Sequence, residues 1–191
     1  MIYFDYNATT PLDADVRRAM LPYLDEVFGN PASVHSVGRH ARAILDDARE
    51  RVANTLGAKP SEITFTSGAT ESNNLAIQGM ARSLRDQGRH LITSAVEHHA
   101  VLHPCEYLAD KEGFALTILP VDREGRVSPD DLRAALREDT ILVSIMAANN
   151  EVGTLQPFTE IGDICRENGV LFHSDAVHCF GKMAFESIHQ F

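Results

Sequence analysis

The feature that most constrains this chain is an alternation. Short apolar runs at 62–66, 91–95, 115–121, 141–147 and 170–174 are separated by stretches with helical spacing. Runs this short, apolar at consecutive positions as in Ile141-Leu142-Val143, predict strands covered on both faces. Between them, Ile44, Leu45, Ala48, Val52 and Leu56 form one apolar stripe, closed by Gly57. Ile77, Met80, Ala81 and Leu84 form a second stripe, and Val101, Cys105 and Leu108 a third that contains Pro104. Ser128-Pro129-Asp130-Asp131 predicts a helix start, with a capping serine and a proline in the first turn. Ile161, Ile164 and Cys165 mark a last helix, ended by Gly169. Strand, helix, strand, helix predicts an α/β fold: a mostly parallel sheet flanked by helices. The N-terminal part is richer in turns, around one amphipathic helix with Val16, Ala19, Met20 and Tyr23 on one side.

The length suffices for one domain with a real core. The net charge of -10, with no cluster of Lys and Arg, argues against nucleic acid or an anionic membrane as the main partner. It leaves room for a local phosphate site, because a helix N-terminus binds phosphate without a basic side chain. Met1-Ile2-Tyr3-Phe4 runs straight into Asp5, so no secretory leader is expected, and no apolar run approaches the length of a membrane span. Cys105, Cys165 and Cys179 are widely spaced and odd in number. That suits a reducing cytoplasm and no disulfide framework, and the absence of a CxxC pair predicts no zinc site.

Four polar clusters fall just past predicted strands. The first is Ser67-Gly68-Ala69-Thr70, where small residues and a helix start near Glu71 could cradle a phosphate. It lacks the GxxxxGK[ST] pattern, and an ordinary capped turn reads equally well. The second is His98-His99, where an imidazole could stack on a flat ligand or move protons, or simply start a helix. Asn149-Asn150-Glu151, closed by Gly153, is the third and could be a plain turn. The fourth is Asp175. The carboxyl edge of an open α/β sheet is where ligands bind. One ligand would use the clusters together: a phosphate at 67–70, a flat ring at His98, and a ring nitrogen paired with Asp175. Pyridoxal phosphate (PLP) has these parts and needs its ring nitrogen protonated to act as an electron sink.

The wording of several segments carries a resemblance. "YFDYNATTP" (3–11), "FGNPASVHSVG" (28–38), "FTSGATESNNLAI" (65–77), "EHHAV" (97–101), "DTILVSIMAANNEVGTLQP" (139–157) and "FHSDAV" (172–177) run in one order along the chain. With "GK" (181–182), they resemble the N-terminal half of a cysteine desulfurase of the NifS-like group, PLP enzymes with the aspartate aminotransferase fold. The resemblance implies the N-terminal part of the PLP-binding large domain over 16–191, with 1–15 on the small-domain side. It implies that Ala69 and Thr70 bind the cofactor phosphate. His98 would stack on the ring and take part in proton transfer. Asn150 would lie near the cofactor oxygen and the substrate carboxylate, and Asp175 would partner the pyridine nitrogen. The implied reaction converts L-cysteine to L-alanine and passes the sulfur to an enzyme cysteine as a persulfide. From there it goes to a sulfur-acceptor protein, such as an iron–sulfur scaffold, or to thio-cofactor synthesis. The implied enzyme is a cytoplasmic homodimer with no resident metal.

The chain departs from that pattern in two ways. His178 stands where the family usually has a glutamine that donates to the ring hydroxyl oxygen; a histidine can also donate there, but it titrates near neutrality. The Schiff-base lysine and the nucleophilic cysteine are expected beyond Phe191. Lys182 matches the lysine of the family's "GK" and reads as a surface or structural residue. Cys105 and Cys165 read as core, and a reactive Cys179 is not expected. Two alternatives remain: a related PLP lyase such as a selenocysteine lyase, or a non-catalytic chain that acts as an interaction partner.

Overall fold

Four of the five predicted strands form one sheet in the computed structural model, which describes residues 2–182. The strands are β1 (His90–Ser94), β2 (Ala115–Leu119), β3 (Thr140–Ser144) and β4 (Leu171–His173). Their order is β2-β1-β3-β4 and every pairing is parallel, as the alternation of strands and helices predicts. Leu91 lies opposite Leu142, and Leu142 opposite Leu171. The ladder between β3 and β4 runs on past both strands: Ile145 N–H donates to the His173 carbonyl (3.1 Å) and Ala147 N–H to that of Asp175 (3.0 Å).

Alternate residues of β1 and β3 feed two cores. Leu91 and Leu142 pack with Ile77, Val101, Cys105 and Leu108. Those partners come from α4 (Ala69–Leu84) and α5 (His99–Glu112). Ile92 and Val143 face the other way, onto Leu132, Ile161, Ile164 and Cys165. These belong to α6 (Pro129–Ala135) and α7 (Phe158–Glu167). This is why the strand sequences are apolar at consecutive positions: both faces are covered.

The predicted stop of the last helix is present, with Gly169 just past α7 at φ 67°, and the structure adds a stop that the sequence reading did not single out. Gly113 ends α5 at φ 74°, a left-handed conformation that glycine adopts without a steric cost. Ser128 caps α6 through its Oγ, which accepts from Asp131 N–H at 3.4 Å. The chain divides into two compact units, Met1–Thr64 and Phe65–Phe191, and the sheet lies in the second.

The first unit holds α3 (Ser36–Leu56), which carries the predicted stripe and ends at Gly57 (φ 63°). Two expectations fail there. The predicted strand at 62–66 is not one: Pro60–Glu62 is a single 3₁₀ turn, and 63–66 has no strand partner among the described residues. Glu62 Oε2 accepts from the Lys59 N–H at 2.7 Å, so the acid expected to start a strand closes a turn around Pro60 instead. The predicted amphipathic helix is two pieces, α1 (Ala14–Met20) and α2 (Pro22–Asp25). Pro22 has no N–H to continue the ladder of α1, so the break falls at Leu21.

Candidate functional site

The strand order creates the site. From β1 the chain crosses to β2 on one side and then returns to β3 on the other. The carboxyl ends of β1 and β3 therefore flank a topological switch point, where α/β folds leave a crevice. Residues after β1, β3 and β4 and the first turn of α4 meet this edge.

α4 begins at Ala69 with Gly68 as its N-cap, and no side chain caps it. A Cβ placed on Gly68 would meet nothing within 4 Å, so the space there is open to a ligand. Ala69 is half-buried and Thr70 is exposed. Their N–H groups lie at the positive end of the helix dipole. The donors of Ser67 are already engaged: its N–H (2.7 Å) and its Oγ (2.6 Å) both donate to Glu71 Oε2. These two bonds hold the Glu71 carboxyl below its ordinary range. An anion here would rely on residues 69 and 70.

His98 is the N-cap of α5, and its Nδ1 accepts from Ala100 N–H at 3.0 Å. That bond places the proton of the neutral ring on Nε2 and fixes the ring plane. An open cavity of about 490 Å³ has both Thr70 and His98 in its wall and continues along α5 past His103 to Tyr107. Asn150, Asp175 and His178 do not line this cavity.

Asp175 is buried beyond the end of β4. Its two oxygens divide two donors between them. Asn73 Nδ2 donates to Oδ2 at 2.7 Å, and Val177 N–H donates to Oδ1 at 3.0 Å. Asn73 lies one turn after Thr70 on α4, so this helix carries the candidate anion site at its tip and holds Asp175 with its next turn. Around Asp175 lie two half-buried residues, His173 and Ser174. Ser144 Oγ pairs with His173 Nδ1 at 2.8 Å, and loss of water drives the His173 ring down to about 4. The Ser174 Oγ is buried without a hydrogen-bond partner among the described residues.

The turn after β3 is held by Asn149, not Asn150. Asn149 Oδ1 accepts from the N–H groups of Glu151 and Val152, both at 2.9 Å, and its Nδ2 donates to the Val96 carbonyl at 3.0 Å. Asn150 is half-buried, and its Nδ2 donates to Glu151 Oε1 at 3.0 Å. His178 is half-buried in the turn that follows Asp175, and Lys182 is exposed. Cys105 and Cys165 are buried, with their thiols pushed up to about 12 by loss of water. Cys179 is buried too, and burial, with the nearby charge of Asp175, pushes its thiol upward against the pull of Lys182. None of the three is an activated thiolate.

Sequence reasoning missed two residues. Asn73 sits in the middle of a helix, and only its place one turn after Thr70 hinted at the shared edge. Glu97 directly precedes His98, but an acid at a helix start reads as ordinary. It is buried, and its Oε1 accepts from Ser94 Oγ (2.6 Å) and Met146 N–H (2.8 Å). Chemically, this edge offers an anion site at the start of α4, an oriented imidazole, and a buried carboxylate for a cationic partner. Among the described residues, no group of three or more His, Cys, Asp or Glu side chains could hold a metal ion. No described helix is long and apolar enough to cross a membrane.

Residues 2–188 match the aminotransferase class-V family. The chain is 57% identical over 182 residues to a cysteine desulfurase IscS of Dictyoglomus turgidum, covering 95% of this chain and 46% of that protein. It superposes on a solved NifS-like protein with a TM-score of 0.93 at 44% identity, covering 98% of this chain and 52% of the other. It also superposes on SspA in complex with cysteine, with a TM-score of 0.93 at 41% identity, covering 98% and 54%. The chain thus spans about half the length of the proteins it matches.

Proposed function

The chain belongs to the aminotransferase class-V family, and on that premise we propose that it is the N-terminal half of a PLP-dependent cysteine desulfurase. The observation that carries this reading is the buried Asp175, fixed by Asn73 at the same edge as an uncapped helix N-terminus and an oriented His98. The names of the relatives support the substrate, L-cysteine.

The residues present fit the cofactor. A phosphate needs donors without a competing side chain, and the first turn of α4 has no side-chain cap. A protonated ring nitrogen needs a buried anion, and each Asp175 oxygen retains lone-pair capacity beyond its one donor. When bound, PLP supplies an electron sink for bonds broken at the substrate α-carbon. The chain's own residues would then act as follows. Ala69 and Thr70 hold the phosphate through backbone N–H groups and the Thr70 hydroxyl. Asp175 keeps the ring nitrogen protonated. His98, its Nδ1 engaged by Ala100, lies against the ring and can exchange a proton at Nε2. In the same reading Asn150 would lie near the cofactor oxygen and the substrate carboxylate, and His178 would donate to the ring oxygen. Full-length action also requires a Schiff-base lysine and a nucleophilic cysteine, which we place outside these 191 residues. Cytoplasmic location, homodimerisation and sulfur delivery to an acceptor such as an iron–sulfur scaffold belong to the same reading.

The test is turnover. A longer protein that begins with these residues is expected to release alanine and, under reducing conditions, sulfide from L-cysteine when supplied with PLP. The 191-residue chain alone is expected to release neither. Turnover by the chain alone would overturn the placement of the covalent lysine. Failure of the longer protein to act on cysteine would overturn the function.

A further inference from the structure

Two buried residues with carboxyl groups, Glu97 and Asp175, meet consecutive residues of one strand extension: Met146 N–H donates to Glu97 Oε1 (2.8 Å) and Ala147 N–H to the Asp175 carbonyl (3.0 Å). The hydrogen bonds of the two carboxyl groups differ in kind. Asp175 receives one donor on each oxygen. That suits an ionised carboxylate, which only accepts. Glu97 receives both of its donors, Ser94 Oγ and Met146 N–H, on Oε1. Its Oε2 is buried with no partner among the described residues. An ionised oxygen in that position would be left uncompensated, whereas a protonated one carries no charge. Two like charges at one dry edge disfavour each other, which favours a proton on one of the two.

We propose that Glu97 and Asp175 form a pair sharing one charge. Asp175 carries it, Glu97 holds a proton on Oε2, and a cation set against Asp175 lets that proton go to solvent. Glu97 is then a positioning residue for the ring-nitrogen site. Its Oε1 ties the turn before His98 to the strand extension at Met146, across the switch point. Its proton keeps a second negative charge away from Asp175 until a cationic ring arrives.

The groups that act on Glu97 are consistent with this. Burial pushes its carboxyl up to about 7, the charge of Asp175 pushes the same way, and the Ser94 and Met146 bonds pull down. From α5, the thiol of Cys105 is pushed up by burial first, and an ionised Glu97 pushes it the same way. Asp175 also acts on His173, which it pulls upward against the effect of burial.

The pair itself is tested without any cofactor; only its link to the ring nitrogen rests on the function proposed above. In the 191-residue chain with ¹³C-labelled glutamate carboxyls, one signal is expected to titrate near pH 7 and to vanish in Glu97→Gln. The amide introduced by that substitution mimics the protonated acid in shape and keeps an acceptor for Ser94 and Met146. In Asp175→Asn, the same signal is expected to titrate at lower pH. If every glutamate titrates in the ordinary carboxylate range, or if Asp175→Asn leaves the Glu97 midpoint where it was, the pair is disproved. Pyridoxamine 5′-phosphate, followed by fluorescence, tests the link. Because binding would release a proton, affinity in the wild-type chain should rise relative to Glu97→Gln as pH rises toward 7. An identical pH dependence in both chains overturns the coupling. No binding by either chain, with the carboxyl titration intact, counts against the proposed function and removes the link while leaving the charge pair standing.

Discussion

The carboxyl ends of β1 and β4 hold the same ingredients in different arrangements. Each presents a hydroxyl, an acid and a histidine: Ser94, Glu97 and His98 after β1, and His173, Ser174 and Asp175 after β4. At β4 the acid is served on both oxygens, and it is the histidine whose titration is shifted by loss of water. At β1 the acid is served on one oxygen and is the group stripped of water, while the histidine stands on the cavity wall. Sequence places an acid at each strand end. Burial and the placement of donors together decide which acid is charged.

This contrast is sharpest in the pH dependence of stability, where the two ends oppose each other. His173 falls from 6.5 to about 4 in the folded chain. Its share of stability is full above pH 6.5 and is lost as pH falls toward 4. Glu97 rises from 4.5 to about 7. Its share is full below pH 4.5 and is lost as pH rises toward 7. The windows overlap, so the wild-type melting temperature should be nearly flat between them. His173→Gln should remove the acid-side loss and expose a fall in stability with rising pH. Glu97→Gln should do the reverse. Each unmasked slope amounts to no more than about 3 kcal/mol, at about 1.4 kcal/mol per pH unit. Calorimetric scans from about pH 4 to about pH 8, spanning both windows, check both variants. Parallel curves for all three chains would erase the distinction between the two ends.

The next effect belongs to β4 alone. Asp175→Asn keeps the side-chain shape but removes the charge that pairs with a ring nitrogen. A hydrogen bond to a charged group is worth about 1.5–3 kcal/mol, so cofactor affinity in the longer protein should fall about tenfold to a hundredfold, by fluorescence or absorbance titration. Wild-type affinity in this variant would mean that Asp175 is not the partner.

Much of this edge was legible because it depends on local chemistry. Three apolar residues in a row, Ile141-Leu142-Val143, require a strand covered on both faces, and β3 is one. Small residues before Glu71 predict a helix start near that residue, and α4 begins two residues earlier, at Ala69, without the side-chain cap that the sequence left open. Asp175 after an apolar run reads directly as an acid at a strand end. What could not be read depends on partners distant in sequence. Asn73 matters because it meets a residue 102 positions away, and Glu97 because Met146 N–H is 49 positions away. The false strand at 62–66 is the converse case. Its residues suit a strand, but a strand exists only through a neighbour, and Pro60 closes a turn there instead. Likewise, the stripe Val16, Ala19, Met20 and Tyr23 has helical period, but Pro22 lies inside it and splits the helix.

The smallest expected effect concerns the residue that joins the helix tip to Asp175. Asn73→Ala removes the donor to Oδ2 and leaves Val177 N–H on Oδ1. A buried charge deprived of a donor usually costs about 1–3 kcal/mol. Here the low end, about 1 kcal/mol by urea denaturation, is expected, because the space left by the amide can admit a water that replaces it. The loss should be specific to the β4 side. In Asn73→Ala, the Glu97 carboxyl signal should move little, since Asp175 keeps its charge and Glu97 keeps Ser94 and Met146. If instead Asn73→Ala lowers the Glu97 midpoint as far as Asp175→Asn does, the Asp175 charge depends on its amide donor. The two strand ends would then be one network rather than two differently served acids.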